Sequence, residues 1–333
     1  MFHCLTRLPT EQNHFLSWAR SPEVSAGEMA NPSADRHNDI RCDRRVLLKV
    51  AGLSLLLTLV RIAPAADEAA AIAHETVVVP SGTLQLKAFF WRPQGPGPFP
   101  VVLFNHGSGG VDPAHTGPIE ITEAAEKLGP IFVKHGYAFL YLFRRGQGLS
   151  ADQGPFMQDV LESEERARGK EARQHLQFVL MTTDHLDDVI AGLTFLKNLT
   201  SIDSHRIAMV GHSFGGQLTL LATERDNSVR AAVAFGAAAA SWKSSSELRA
   251  CLLAAVRKTN SPIMFVHAAN DYSIIPGKIM AEELEKLGRP HVLKIYPPVG
   301  RTSDDGHNFV YTAIDQWEND LFNSSINTPP NVK

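Results

Sequence analysis

The sequence predicts an α/β domain in which a mostly parallel sheet carries helices on both faces. The chain has 333 residues, 44% of them hydrophobic and 20% charged, which is enough for one large domain with a full core. Strand-like and helix-like runs alternate along it, as a parallel sheet requires. A G-x-S-x-G motif, residues 211–215, lies between an apolar run and a run of good helix formers.

The predicted elements follow this alternation. Glu75 to Val79 and Leu84 to Trp91 form an edge hairpin around a Pro-Ser-Gly-Thr turn. Later strands are predicted at 101–105, 137–143, 206–210, 230–235, 262–267 and 291–296, and helices at 119–135, 184–199, 241–258, 276–288, 308–323 and after 213.

The charged stretch from Gln158 to Asp184 is longer than a sheet connection needs. Its charges of mixed sign at three- and four-residue spacing suit exposed helix, which Gly169 would divide. We therefore predict a helical insertion at about 151–184 within a domain spanning 67–333. It is a candidate lid over the site, and a solvated surface helix is the alternative.

Residues 1–66 predict an export signal. A twin arginine at Arg44 and Arg45 precedes an apolar stretch, 50–60, and the small-residue run Ala63-Pro64-Ala65. The pattern resembles a bacterial twin-arginine signal, with Asp43 where Ser or Thr is usual. This implies removal of the segment and a periplasmic or secreted protein without a stable membrane span. The alternatives are a cytoplasmic protein or a retained signal anchor.

The segment before Arg44 is long for such a signal, so Met29 is an alternative start to Met1. If cleavage falls near Ala65, Cys4 and Cys42 leave with the signal, and Cys251 remains as a buried small side chain. The spacing of the cysteines fits no zinc or haem pattern, and acyl transfer by the candidate residues below would need no metal or organic cofactor. The net charge of −3 and the absence of a basic stripe argue against a nucleic-acid partner.

Ser213 is the candidate nucleophile. A serine between a strand and a helix sits in a strained turn, and glycines at 211 and 215 avoid Cβ crowding there. The amide of Phe214, at the start of the following helix, can stabilise an oxyanion. The alternative is a glycine-rich turn with an incidental serine.

A second glycine-rich turn, His106-Gly107-Ser108-Gly109-Gly110, follows the predicted third strand. Backbone N–H groups of such a turn can point at a developing oxyanion, so the amide of Ser108 or Gly109 is the candidate partner of the Phe214 amide. An ordinary turn is the alternative. His106 is expected to support the turn.

Asp271 and His307 complete the chain order Ser, Asp, His. Asp271 lies just past a predicted strand, where it could otherwise cap a helix. His307 follows the last strand and a predicted loop from Pro297 to Gly306. Asp304 and Asp305 are rivals for Asp271, but they are close in sequence to His307 and would rarely reach its Nδ1.

Three residues are candidate substrate contacts. Arg144 and Arg145 lie in a glycine-punctuated loop after a strand and could bind a substrate carboxylate. The alternative is that they anchor this loop through salt bridges and carbonyl oxygens. Trp242 is a candidate pocket wall.

These motifs resemble the α/β-hydrolases from about Glu75 to the end, and in particular dienelactone-hydrolase-like and prolyl-oligopeptidase-like esterases. The resemblance implies an α/β-hydrolase fold with an eight-stranded, mostly parallel sheet, and a triad of Ser213, Asp271 and His307. Dienelactone hydrolases proper use cysteine where Ser213 stands, which leaves lactone specificity open. No N-terminal propeller precedes the third strand, which argues against a true oligopeptidase.

The sequence thus predicts a serine hydrolase that cleaves a small-molecule carboxylic ester through an acyl-enzyme, without a cofactor. A peptidase or amidase on the same triad is the first alternative. A non-catalytic binding protein with this fold is the second. The oligomeric state is left open.

Overall fold

A computed structural model describes residues 73–108 and 120–323. Eight strands form one sheet in the order β1-β2-β4-β3-β5-β6-β7-β8. β2 runs antiparallel to β1 and β4, and every other neighbouring pair is parallel. The strands are β1 Glu75–Ser81, β2 Leu84–Trp91, β3 Phe99–Asn105, β4 Ala138–Leu142, β5 Ile202–His212, β6 Val229–Phe235, β7 Ile263–Ala268 and β8 His291–Tyr296. The predicted fold class is confirmed.

Two hydrophobic layers cover the sheet, one on each face. One layer packs α2 to α7 against the strands, and the other packs α1 with the C-terminal helices α9 and α10. The helices are α1 Ile121–Lys134, α2 Met157–Arg168, α3 Lys170–Thr182, α4 Asp184–Lys197, α5 Phe214–Arg225, α6 Ser246–Lys258, α7 Ile275–Lys286, α8 Ser303–His307, α9 Phe309–Thr312 and α10 Ile314–Asn323.

The strand order indicates where a ligand site can lie in this sheet. The chain moves from β3 outward to β4, then returns to pair β5 on the other side of β3. Ligand sites of open α/β sheets lie at the carboxyl ends of the strands where the order reverses in this way. The turn after β3 and Ser213 after β5 flank this point.

The segment predicted as an insertion contains two helices, α2 and α3, separated at Gly169, which adopts a φ of +89°. Its Met157, Leu161 and Met181 are buried in the core, so the pair is packed onto the domain. Among the described residues, no helix is long and apolar enough to span a membrane. The predicted export signal, with Cys4, Cys42 and both candidate start sites, lies outside the described residues.

One local prediction was wrong. The loop expected from Pro297 to Gly306 contains the short helix α8. Thr302 and Asp305 form a reciprocal capping box that starts this helix, a T-x-x-D pattern that hydrophobic periodicity does not detect.

Candidate active site

Ser213 lies at the sharp turn from β5 into α5. Its backbone is in an unusual conformation, φ 54° and ψ −116°, as expected for a strained strand-to-helix turn. A Cβ on Gly215 would lie 1.9 Å from the carbonyl oxygen of Asn105 at the end of β3, so only glycine allows this approach. The Ser213 N–H donates to the Phe235 carbonyl at 2.8 Å, which ties the turn to β6.

Asp271 and His307 are brought together from separate elements. Asp271 follows β7, and His307 ends α8. The Nδ1 of His307 donates to Oδ1 of Asp271 at 2.7 Å, and the Tyr272 N–H donates to the same oxygen at 2.7 Å. Burial raises the pKa of the Asp271 carboxyl, but hydrogen bonds from His267 and His307 outweigh it, so the pKa lies below its ordinary value. The carboxyl is therefore ionised at neutral pH.

The two rival aspartates have other surroundings. Asp305 accepts the backbone N–H groups of Arg301 and Thr302 at 2.8 and 2.9 Å, which commits its carboxylate to the start of α8. Asp304 is exposed. Of the three aspartates considered, Asp271 is the one hydrogen-bonded to the imidazole of His307.

Two neighbours connect His307 to the Ser213 turn. Gly236 follows β6 with a φ of +55°, and a Cβ there would lie 3.0 Å from the imidazole of His307. His212, next to Ser213, donates from Nε2 to the backbone carbonyl of His307 at 2.9 Å. Burial, followed by the proximity of His307, lowers the pKa of His212 to about 3, so this contact is made by a neutral ring. His212 is part of the G-x-S-x-G motif, yet its sequence position does not indicate this partner.

The turn after β3 is held by Arg144. Its guanidinium is fully buried and donates to the carbonyl oxygens of His106 and Gly107 at 2.8 and 2.7 Å. Gln147 donates to the Ser108 carbonyl at 2.6 Å. Phe214 is the first residue of α5, where helix N–H groups lack an intrahelical acceptor. Gly109 lies outside the described residues.

Both candidate arginines bind groups of the protein itself in the structure. Arg144 anchors the turn through carbonyl oxygens, the alternative that the sequence left open. Arg145 pairs with buried Asp188 through two N–H groups at 3.0 and 2.7 Å and with Asp184 at 3.1 Å. Trp242 is 6% exposed and packs in the core layer that holds α6.

A small groove runs between α3, the first turn of α5 and the segment before α6. Gln217 lies one helical turn after Ser213, and its side chain donates to Ser241 at 3.3 Å on the groove wall. Phe178 and Met181 of α3 contribute apolar wall. The lining consists of uncharged side chains: Gln174, Gln177, Phe178, Met181, Gln217, Ser241, Ser244, Ser245 and Leu248.

One further residue at the site was missed from the sequence. His267, at the end of β7, donates from Nδ1 to Oδ2 of Asp271 at 2.9 Å. The only sequence signal is its position four residues before Asp271 at the carboxyl end of an apolar strand. Within residues 73–108 and 120–323, no group of three or more His, Cys, Asp or Glu side chains is arranged to hold a metal ion.

Comparison with known proteins agrees with this architecture. The model of the dienelactone hydrolase family matches residues 86–316. A structure assigned as a dienelactone hydrolase from Klebsiella pneumoniae is 19% identical, with a TM-score of 0.53 over 75% of this chain and 97% of that one. Dienelactone hydrolase from Anabaena variabilis is also 19% identical, with a TM-score of 0.50 over 76% and 98% of the two chains.

A larger protein shares the fold as well. Acylaminoacyl peptidase from Pyrococcus horikoshii is 17% identical with a TM-score of 0.50, and the match covers 75% of this chain but 42% of the peptidase. None of the curated proteins matches the sequence.

Proposed function

The chain belongs to the dienelactone hydrolase family, and we propose that it is a serine esterase that cleaves a small carboxylic ester. The observation that carries this proposal is the hydrogen bond of 2.7 Å from His307 to Asp271, beside a serine in an elbow conformation. A hydrolase with this geometry needs no group beyond its own side chains for acyl transfer.

In the proposed mechanism, Ser213 attacks the ester carbonyl while Nε2 of His307 takes the hydroxyl proton. Asp271 keeps the imidazole in the required tautomer and stabilises the imidazolium. The Phe214 amide and an amide of the Ser108–Gly109 turn stabilise the tetrahedral oxyanion, each contributing on the order of 10²–10³ in rate. His307 then protonates the leaving alcohol, and water hydrolyses the acyl-enzyme by the same steps.

We further propose that the groove beside α5 receives an uncharged part of the substrate. Its nine lining residues carry amide, hydroxyl and apolar groups. A carboxylate placed there would lose its hydration without gaining a cationic partner from this lining. The insertion helix α3 would then select substrates as one wall of the site.

The first experiment is hydrolysis of p-nitrophenyl esters of increasing acyl length, beside Ser213→Ala and labelling with a fluorophosphonate. We expect turnover by the wild type, loss in Ser213→Ala, and a label mapped to Ser213. Absence of both turnover and label would overturn the esterase proposal. A higher kcat/KM on p-nitroanilides than on matched esters would favour the peptidase alternative.

Export is proposed separately, from the sequence pattern of residues 1–66. Expression of the full chain with its native leader in a twin-arginine-competent bacterium should give a periplasmic protein that begins near residue 66. Replacement of Arg44 and Arg45 by lysine should leave the longer precursor in the cytoplasm. A processed periplasmic protein from the double-lysine variant would contradict this proposal.

A further inference from the structure

His267 makes a second imidazole contact with the carboxylate of Asp271. Its Nδ1 lies 2.9 Å from Oδ2, whereas His307 uses Oδ1. Both side chains of the pair are buried, with 0% of His267 and 1% of Asp271 exposed. A carboxylate oxygen only accepts hydrogen bonds, so Nδ1 of His267 carries the proton in this contact.

The three donors divide the two carboxylate oxygens between them. Oδ1 receives His307 and the Tyr272 N–H, and Oδ2 receives His267. With donors on both oxygens, rotation of the carboxyl group about χ2 would break hydrogen bonds in a buried site. The plane of the carboxylate, and with it the direction of the His307 imidazole, therefore depends on His267.

The other edge of the His267 ring is held by packing. Its Nε2 has no hydrogen-bond partner within the described part of the chain. A Cβ on Gly277, in the first turn of α7, would lie 2.5 Å from this atom. The absence of a side chain at Gly277 thus leaves room for the His267 ring beside α7.

We propose that His267 is a positioning residue for the reaction, which orients Asp271 so that Oδ1 faces His307. This inference rests on the proposed function, because it assigns His267 to the same triad. His267 does not touch the substrate and exchanges no proton with it. Its contribution is to keep Asp271 in the orientation in which Oδ1 accepts the hydrogen bond from His307.

The test compares two replacements of the same residue. His267→Asn retains an N–H donor near the position of Nδ1, whereas His267→Phe retains the ring without a donor. We expect kcat per fluorophosphonate-titrated site to fall on the order of 10–100-fold in His267→Phe, with little change in KM, because a misplaced catalytic group costs this much. His267→Asn should recover most of that loss.

The pH profile separates positioning from folding. In the described part of the chain, the titratable side chains around Asp271 and His307 are His267, His212 at the end of β5, and Tyr272, whose ring centroid lies 4.8 Å from that of His307. Without the His267 donor, the carboxylate binds protons more tightly and stabilises the imidazolium more strongly, so the acidic limb of kcat/KM should move to higher pH. If His267 only supported the fold, its replacement would lower the fraction of enzyme that the fluorophosphonate titrates. The acidic limb of the kcat/KM profile would then stay at the same pH.

Gly277→Ala gives a second approach to the same contact. The added methyl group should displace the His267 ring and reproduce the loss of kcat, although alanine favours the helix. In the His267→Asn background, Gly277→Ala should lower kcat much less. The proposal would be overturned if Gly277→Ala lowered kcat equally in the wild type and in His267→Asn. It would also be overturned if His267→Phe kept the wild-type kcat and pH profile.

A readout that needs no turnover keeps the two proposals distinct. The Nδ1–H proton of His307 should give a far-downfield NMR resonance, identified by its loss in His307→Gln. This resonance should shift in His267→Phe and return in His267→Asn. An unchanged resonance in His267→Phe would overturn the positioning role, while absence of ester turnover in the wild type would count against the proposed function alone.

Discussion

Nδ1 of His307 lies 2.7 Å from Oδ1 of Asp271, although 36 residues separate them. The contact forms because β7 and β8 are parallel neighbours, so that the segments following them leave the sheet at the same edge. It joins a residue that follows a strand to one that ends a short helix.

Asp271→Asn should retain this geometry but not the tautomer. The amide can donate to Nδ1, which then leaves the proton on Nε2, where it cannot accept from Ser213. We expect kcat to fall on the order of 10³–10⁴-fold while the fold persists. The measurement is ester turnover, with circular dichroism to check the fold.

The control is Asp304→Asn, which removes a charge from an exposed neighbour of His307. Its kcat should stay within about twofold of wild type, since surface changes are usually near neutral. A greater loss in Asp304→Asn would reverse the assignment of the acid.

Gly236→Ala should damage activity beyond its effect on stability. Gly236 and Gly288 both have positive φ, +55° and +63°, but a Cβ on Gly236 meets the His307 ring at 3.0 Å while one on Gly288 has no atom within 4 Å. Alanine at either position should cost about 1–2 kcal/mol of unfolding free energy. Only Gly236→Ala should also lower kcat, on the order of 10–100-fold. Denaturant titration and turnover on the same samples test this, and equal kcat values would refute it.

Arg144→Lys should loosen the turn after β3. Burial lowers the pKa of Arg144 to about 10, so the side chain is still charged at neutral pH. Lysine retains the charge but lacks the planar fork that binds two carbonyl oxygens together. We expect kcat to fall about tenfold, with KM nearly unchanged, because the proposed oxyanion donor moves. Arg166→Lys, on the exposed face of α2, is the matched control and should behave as wild type.

Phe178→Ala should change substrate choice more than rate. Phe178 lines the groove, whereas Val179, the next residue on α3, is not part of its lining. Enlarging the groove should raise the ratio of kcat/KM for longer acyl esters to kcat/KM for the acetate by about tenfold. One methylene group in a hydrophobic pocket changes kcat/KM by about this factor. Val179→Ala should leave the ratio as it is. The same ratio in both variants would show that the acyl chain binds elsewhere.

Acid should destabilise the protein below neutral pH because buried histidines resist protonation. Burial, followed by Arg144 and Arg145, lowers the pKa of His185 to about 3. A histidine with a lowered folded-state pKa contributes stability above its unfolded value of about 6.5, and loses it as the pH falls toward the folded value. His185→Leu should therefore reduce the slope of unfolding free energy against pH by up to about 1.4 kcal/mol per unit between pH 6 and 4. Urea titrations across this range measure the slope, and an unchanged slope would contradict the burial effect.

The sequence alone determined the fold class and the three candidate triad residues. Apolar runs of strand length predict the parallel sheet, and chain order places the candidates Ser213, Asp271 and His307 after β5, β7 and β8. The fold-class prediction succeeds because the side chains that form a parallel sheet are buried on both faces. The three triad candidates stay a prediction, which rests on the rule that loops at the carboxyl ends of parallel strands lie at one edge of the sheet.

Tertiary structure decided what those residues touch. His267 binds Asp271 from within a buried strand, Arg144 turns inward to two carbonyl oxygens, and His212 reaches the backbone of His307 across 95 residues. Periodicity cannot reveal such contacts, because they depend on side-chain direction and on distances between elements that are remote in sequence. A buried hydrogen bond has no local signature, whereas a buried strand does.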